Sequence, residues 1–97
     1  MPPRRLSDDE IASRLGALDG WELVEGEIQK THTLKDFQQA MLFVGAVGYL
    51  AEAAGHHPGI SISWNTVILS LATHSAGGLT EHDFDLARQI DALPRLT

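Results

Sequence analysis

The chain is expected to be an α+β protein: a four-stranded antiparallel sheet with three helices packed on one face, in the order α-β-β-α-β-β-α. Two pairs of short strand-like runs are each joined by a tight-turn sequence, which implies hairpins. Helical periodicity starts and stops at recognisable caps. Hairpins with segregated helices leave an antiparallel sheet covered on one side. Residues 1–97 are expected to form one domain.

The first helix begins near Ser7. Ser7 and Glu10 have capping-box spacing, and Leu6 with Ile11 can staple the turn. Ile11, Leu15 and Leu18 follow at helical spacing, and Gly16 and Gly20 end the run. Trp21 to Val24 reads as a strand, Glu25-Gly26-Glu27 as a turn, and Ile28 to Leu34 as a second strand. One face of that strand (Ile28, Lys30, His32, Leu34) is mixed, so partial exposure is expected.

The second helix should run from Lys35 or Asp36 to Ala54, with Asp36 complementing the dipole of the first turn. It is apolar nearly all round, which implies burial on two sides: against the sheet, and against another helix or subunit. Gly45 and Gly48 each cost roughly 0.5–1 kcal/mol relative to Ala, a cost that makes sense where something packs closely. Gly55 ends the helix and Pro58 prevents its continuation. Ile60 to Trp64 is the third strand, Asn65-Thr66 a turn, and Val67 to Thr73 the fourth strand, with Val67, Leu69 and Leu71 on one face. Ser75 to Gly78 reads as a loop. Thr80 caps a last helix with Phe84, Ala87 and Ile90 on its buried stripe, and Pro94 stops it.

The net charge of −6 and the scatter of basic residues argue against binding a phosphate backbone. The absence of cysteine excludes thiolate catalysis and disulfides. The N-terminal stretch lacks the apolar core of a signal peptide. The apolar stretch Phe37 to Ala51 is too short and interrupted to span a bilayer. The expectation is a soluble cytoplasmic protein with no membrane partner.

Chemistry is concentrated in Glu52, His56, His57 and His74. Glu52 is the only Asp, Glu, Lys or Arg between Asp36 and Glu81. Glu52 and His56 stand four apart, so a helix reaching His56 would let the carboxylate orient the imidazole; the competing reading is a solvated pair at a fraying helix end. His56-His57 occupies an exit loop, where adjacent side chains point apart. His74 ends a strand beside Ala76-Gly77-Gly78, a common setting for site residues. Asp83 completes a second capping box with Thr80 and can also lie near His74. His32 and His82 read as surface residues. Three histidines could bind zinc, but no His-Glu-x-x-His occurs, so no metal is expected.

In order and spacing, these residues resemble the pterin-4a-carbinolamine dehydratase family. The matching elements are Glu52-x-x-x-His56-His57-Pro58, Trp64-Asn65-Thr66-Val67, Thr73-His74, Gly77-Gly78-Leu79-Thr80 and Asp83, with Gly20-Trp21 and Lys35-Asp36-Phe37 upstream. The likeness spans about Leu18 to Leu93; His32, Leu34 and Gly59 depart from it. The resemblance implies a hydro-lyase that removes water from 4a-hydroxytetrahydropterin to give quinonoid dihydropterin, in support of tetrahydrobiopterin recycling, with no cofactor. By the same resemblance, His56 and His74 are the acid/base pair, His57 binds the pterin, Glu52 orients His56, Asp83 supports His74 or contacts the ring, and Trp64 and Trp21 wall the pocket. A homodimer or homotetramer is implied. The alternative is a pterin-binding or dimerisation module, since animal relatives also serve a homeodomain transcription factor.

Overall fold

The computed structural model describes residues 3–94. Its elements are α1 (Asp8–Gly16), β1 (Glu22–Val24), β2 (Glu27–Thr33), α2 (Phe37–Ala54), β3 (Gly59–Ser63), β4 (Thr66–Leu71), a 3-10 turn (His74–Ala76) and α3 (Glu81–Asp91). The strands form one antiparallel sheet in the order β1-β2-β4-β3.

Local chemistry explains the boundaries. Ser7 Oγ accepts the Glu10 amide N–H, and the Glu10 carboxylate accepts that of Ser7, so the capping box at α1 is closed in both directions. Asp36 caps α2 by accepting the Gln39 N–H at 2.9 Å. At the other end Gly55 turns left-handed (φ 63). The His56 N–H then reaches back to the Ala51 carbonyl and the Gly55 N–H to that of Glu52, as in a Schellman motif. Between β1 and β2, Glu25 and Gly26 both have positive φ (50 and 81), the geometry of a two-residue hairpin turn. The second hairpin turns at Trp64-Asn65 rather than Asn65-Thr66: Trp64 has φ 52, and Thr66 is already paired with Ser63.

Register sets what the sheet presents to the helices. Ile28 lies opposite Leu71, Lys30 opposite Leu69 and His32 opposite Val67, with Ile60 and Ile62 of β3 also beside Leu69 and Val67. Side chains alternate across a strand, so this is the helix-covered face. Its centre, Ile28, Val67, Leu69 and Leu71, is fully buried against Val47 and Ala51 of α2 and Phe84, Ala87 and Ile90 of α3. Each large apolar side chain buried there contributes about 1.5–3 kcal/mol. The other face carries Gln29, Thr31, Thr33, Ser61, Thr66 and Ser70, with Gln29 donating to Ser70. The mixed face expected of β2 is therefore the covered one; Lys30 is tolerated because its ammonium meets Asp91 at 3.0 Å at the end of α3. Among the described residues no helix is long and apolar enough to cross a membrane.

The Arg4 guanidinium forks onto Glu10 at 2.9 and 2.7 Å and, with the Ser7 N–H, holds that carboxyl well below its ordinary range. A carboxyl pKa lowered by folding stabilises the native state above its unfolded value, and the effect fades as pH falls toward the folded value. Glu10→Gln is therefore expected to lower the melting temperature at pH 7, with the gap to wild type beginning to narrow below about pH 4. Thermal unfolding of both proteins across pH 3–7 checks this.

Candidate active site

The site is built where three chain segments meet: the exit of α2, the end of β4 with its 3-10 turn, and the first turn of α3. Its anchor is Asp83, which has no exposure to solvent. Thr80 is the N-cap of α3, and Asp83 is the third residue of that helix, so the Asp83 Oδ2 accepts the Thr80 N–H at 2.9 Å. The same oxygen accepts the Thr73 hydroxyl at 2.9 Å. Oδ1 meets His56 Nε2 at 2.5 Å. A negative carboxylate is also favoured at the N-terminus of a helix.

This arrangement sets the tautomer of His56. A carboxylate only accepts hydrogen bonds, so Nε2 carries the proton. The other ring nitrogen, Nδ1, has no protein partner among the described residues and is not sealed from solvent. His56 thus offers a bare nitrogen outward and a protonated one inward, the form suited to taking up a proton with a carboxylate behind it.

His57 and Glu52 form a separate pair at 3.0 Å, with side-chain exposures of 65% and 75%. The expected Glu52–His56 pair does not form. The left-handed turn at Gly55 ends the helix before residue 56, so the i, i+4 relation never applies, and His56 swings toward α3 while His57 returns to Glu52. Asp83 likewise meets His56 rather than His74. His74 opens the 3-10 turn and is exposed. The neck of its loop is Thr73, whose backbone pairs with Gly78 in both directions. Because the Thr73 side chain touches the carboxylate that holds His56, His74 is mounted one residue from that contact. Of the three imidazoles, His57 and His74 are exposed and His56 is half-buried.

The tryptophans lie elsewhere. Trp21 is buried, and its Nε1–H donates to both oxygens of Asp91. Asp91 is eight residues beyond Asp83 on α3, roughly 12 Å of helix. Trp64 is 67% exposed at the tip of the β3–β4 hairpin, about 17 Å of strand from the His56-His57-Pro58 end. Neither walls the imidazoles within one chain. A hollow of about 320 Å³ opens at the Trp21 end, lined by Lys30, His32, Phe43, Ile90, Asp91 and Leu93 among others, not beside His56. His82 is exposed, as read from the sequence, and its ring stands edge-on to His56, centroids 6.0 Å apart. Among the described residues no three His, Cys, Asp or Glu side chains are gathered to hold a metal ion.

The sequence profile described as Pterin 4 alpha carbinolamine dehydratase matches residues 4–93. The chain belongs to that family. A relative from Roseiflexus sp. (strain RS-1), named for the same family, is 60% identical over 89 residues, covering 92% of this chain and 96% of that one. Another so named, from Nocardia farcinica (strain IFM 10152), is 50% identical over 95 residues, covering 98% and 100%. The crystal structure of a transcriptional coactivator/pterin dehydratase from Brucella melitensis superposes with a TM-score of 0.88 at 38% identity, over 92% of this chain and 97% of that one. A pterin dehydratase-like RuBisCO assembly factor of the alpha-carboxysome shares the fold, with a TM-score of 0.61 at 23% identity over 74% of this chain and 83% of that one.

The two carboxylates of this dehydratase-family chain should behave very differently. Asp83→Asn leaves buried donors facing an amide and is expected to cost roughly 1–3 kcal/mol of stability. Glu52→Gln, in an exposed pair, is expected to stay within about 0.5 kcal/mol of wild type. Urea unfolding of the two variants measures the contrast.

Proposed function

We propose that the chain is a hydro-lyase that dehydrates 4a-hydroxytetrahydropterin to quinonoid dihydropterin and so serves tetrahydropterin recycling in the cytoplasm. The observation that carries this is the His56–Asp83 pair: an imidazole with a fixed tautomer and one free nitrogen, mounted beside the loop that bears His74.

The reaction needs one proton given and one taken. An imidazolium donates to the hydroxyl on carbon 4a, the C–O bond breaks and water leaves. The lone pair of the adjacent ring nitrogen forms the C=N bond, and the N–H proton of that nitrogen passes to a neutral imidazole. The enzyme returns to its starting charge, and no electrons are exchanged with a cofactor. Imidazole titrates near the working pH, which suits both halves of the exchange. In this reading His56, through Nδ1, and His74 are the acid/base pair. His57, steadied by Glu52, binds the flat ring. Asp83 supports the imidazolium form of His56.

The same reading includes self-association. On α2, Phe37, Met41, Leu42 and Tyr49 are exposed, from 47% to 76%. Gly45 and Gly48 lie among them, and a Cβ built on either meets nothing within 4 Å. An apolar stripe with small residues at its middle suits close packing of a second α2, and closed symmetric assemblies are the common outcome. A homodimer or homotetramer would then cover it.

General acid/base catalysis typically contributes ~10²–10⁴-fold. His56→Ala and His74→Ala are each expected to slow dehydration of 4a-hydroxytetrahydropterin by at least tenfold, and the double variant to approach the uncatalysed rate. Stopped-flow absorbance measures this; wild-type turnover by the double variant would sink the assignment. Tight pterin binding without turnover in the native protein would support a binding module instead. Light scattering after size exclusion should give a multiple of the 10.5 kDa chain mass for wild type and the single mass for Leu42→Glu/Tyr49→Glu. A monomeric wild type would overturn the assembly.

A further inference from the structure

We infer that Thr73, with Thr80 behind it, is a positioning residue for His56 that acts through Asp83. Every proton in this buried cluster can be placed. The His82 amide N–H donates to Thr80 Oγ1 at 3.2 Å. Asp83 is a carboxylate and only accepts, so the single hydroxyl proton of Thr73 goes to Asp83 Oδ2. The Thr73–Thr80 contact at 2.8 Å must then be a donation from the Thr80 hydroxyl to Thr73 Oγ1. The chain of donors runs Thr80 to Thr73 to Asp83, and the remaining oxygen of that carboxylate faces His56 Nε2–H. Thr73 is 6% exposed, and Thr80 and Asp83 have no exposure. Water cannot stand in for a donor that is removed without first opening the core.

The consequence is electrostatic. The Thr73 hydroxyl and the Thr80 N–H share the negative charge on Oδ2. Removing the hydroxyl leaves more charge for the bond to His56, so the His56–Asp83 pair binds its next proton more tightly and titrates at higher pH. The other ionisable groups around His56 are His82 on α3, the His57–Glu52 pair at the end of α2, His74 on the 3-10 turn, and Glu81, which is bound by Arg14 of α1 and lies 3.8 Å from Arg88. Substitution at Thr73 alters none of their charges. The hydrogen bond lost is one to a charged carboxylate, worth roughly a factor of ten or more in an equilibrium constant, so the midpoint should rise by roughly half a pH unit or more.

The test is an imidazole ¹⁵N NMR titration of His56 in wild type, Thr73→Ser and Thr73→Val. Thr73→Ser keeps the hydroxyl and should reproduce the wild-type midpoint and Nε2–H tautomer. Thr73→Val, of nearly the same shape, should raise the midpoint while keeping the Nε2–H tautomer. Should Thr73→Val fail to fold, Thr73→Cys, a weaker donor of similar size, should shift the midpoint in the same direction by less. A folded Thr73→Val or Thr73→Cys that titrates as wild type overturns the inference. The kinetic consequence rests on the dehydratase reading: the acid limb of kcat/KM should move up with the His56 midpoint, and KM should stay within about twofold. The titration needs no substrate. A shifted midpoint in a protein that never dehydrates pterin would keep the role of Thr73 and discard the dehydratase reading; turnover without a shift would do the reverse.

Discussion

A carboxylate with no access to water must be surrounded by donors, and Asp83 imposes that condition where the end of β4, the exit of α2 and the start of α3 meet. It takes a backbone N–H from its own helix cap, a hydroxyl from the end of β4 and an imidazole N–H from the exit of α2. Meeting that demand ties three segments together. It also leaves His56 with one defined free nitrogen, the atom that the proposed proton transfer uses.

The two ends of α3 make an instructive pair. At the N-terminus Asp83 faces inward and holds His56. At the C-terminus Asp91 receives Trp21 and Lys30 and closes the core over the one charged residue of the covered sheet face. Both carboxylates are satisfied by partners distant in sequence. Only the first has a partner imidazole with a free ring nitrogen.

Much of the fold was legible because its signals are local. Ser7 with Glu10, Thr80 with Asp83, Asp36 at the start of α2 and Gly55 at its end act within a few residues of themselves, and each stands as read. The buried alternation of Val67, Leu69 and Leu71 is equally local. What misled was spacing applied across a boundary. Glu52 and His56 are four apart, but the left-handed Gly55 lies between them and breaks the helical relation. Trp21 and Trp64 were grouped with the imidazoles by the order of motifs, yet one closes the core beside Asp91 and the other crowns a hairpin. His82 is exposed, as read, but nothing near it in sequence marks His56 as its neighbour.

By itself the sequence determined the element order, the caps, the covered face of β4 and the family. Those properties follow from interactions between near neighbours or from the composition of short segments. Only the tertiary structure decided which carboxylate meets which imidazole. His56 and Asp83 are 27 residues apart, and their contact exists because α2 and α3 pack side by side on the same face of the sheet. A hydrogen bond of that range depends on how two helices settle on a shared core, and no periodicity within either helix records it.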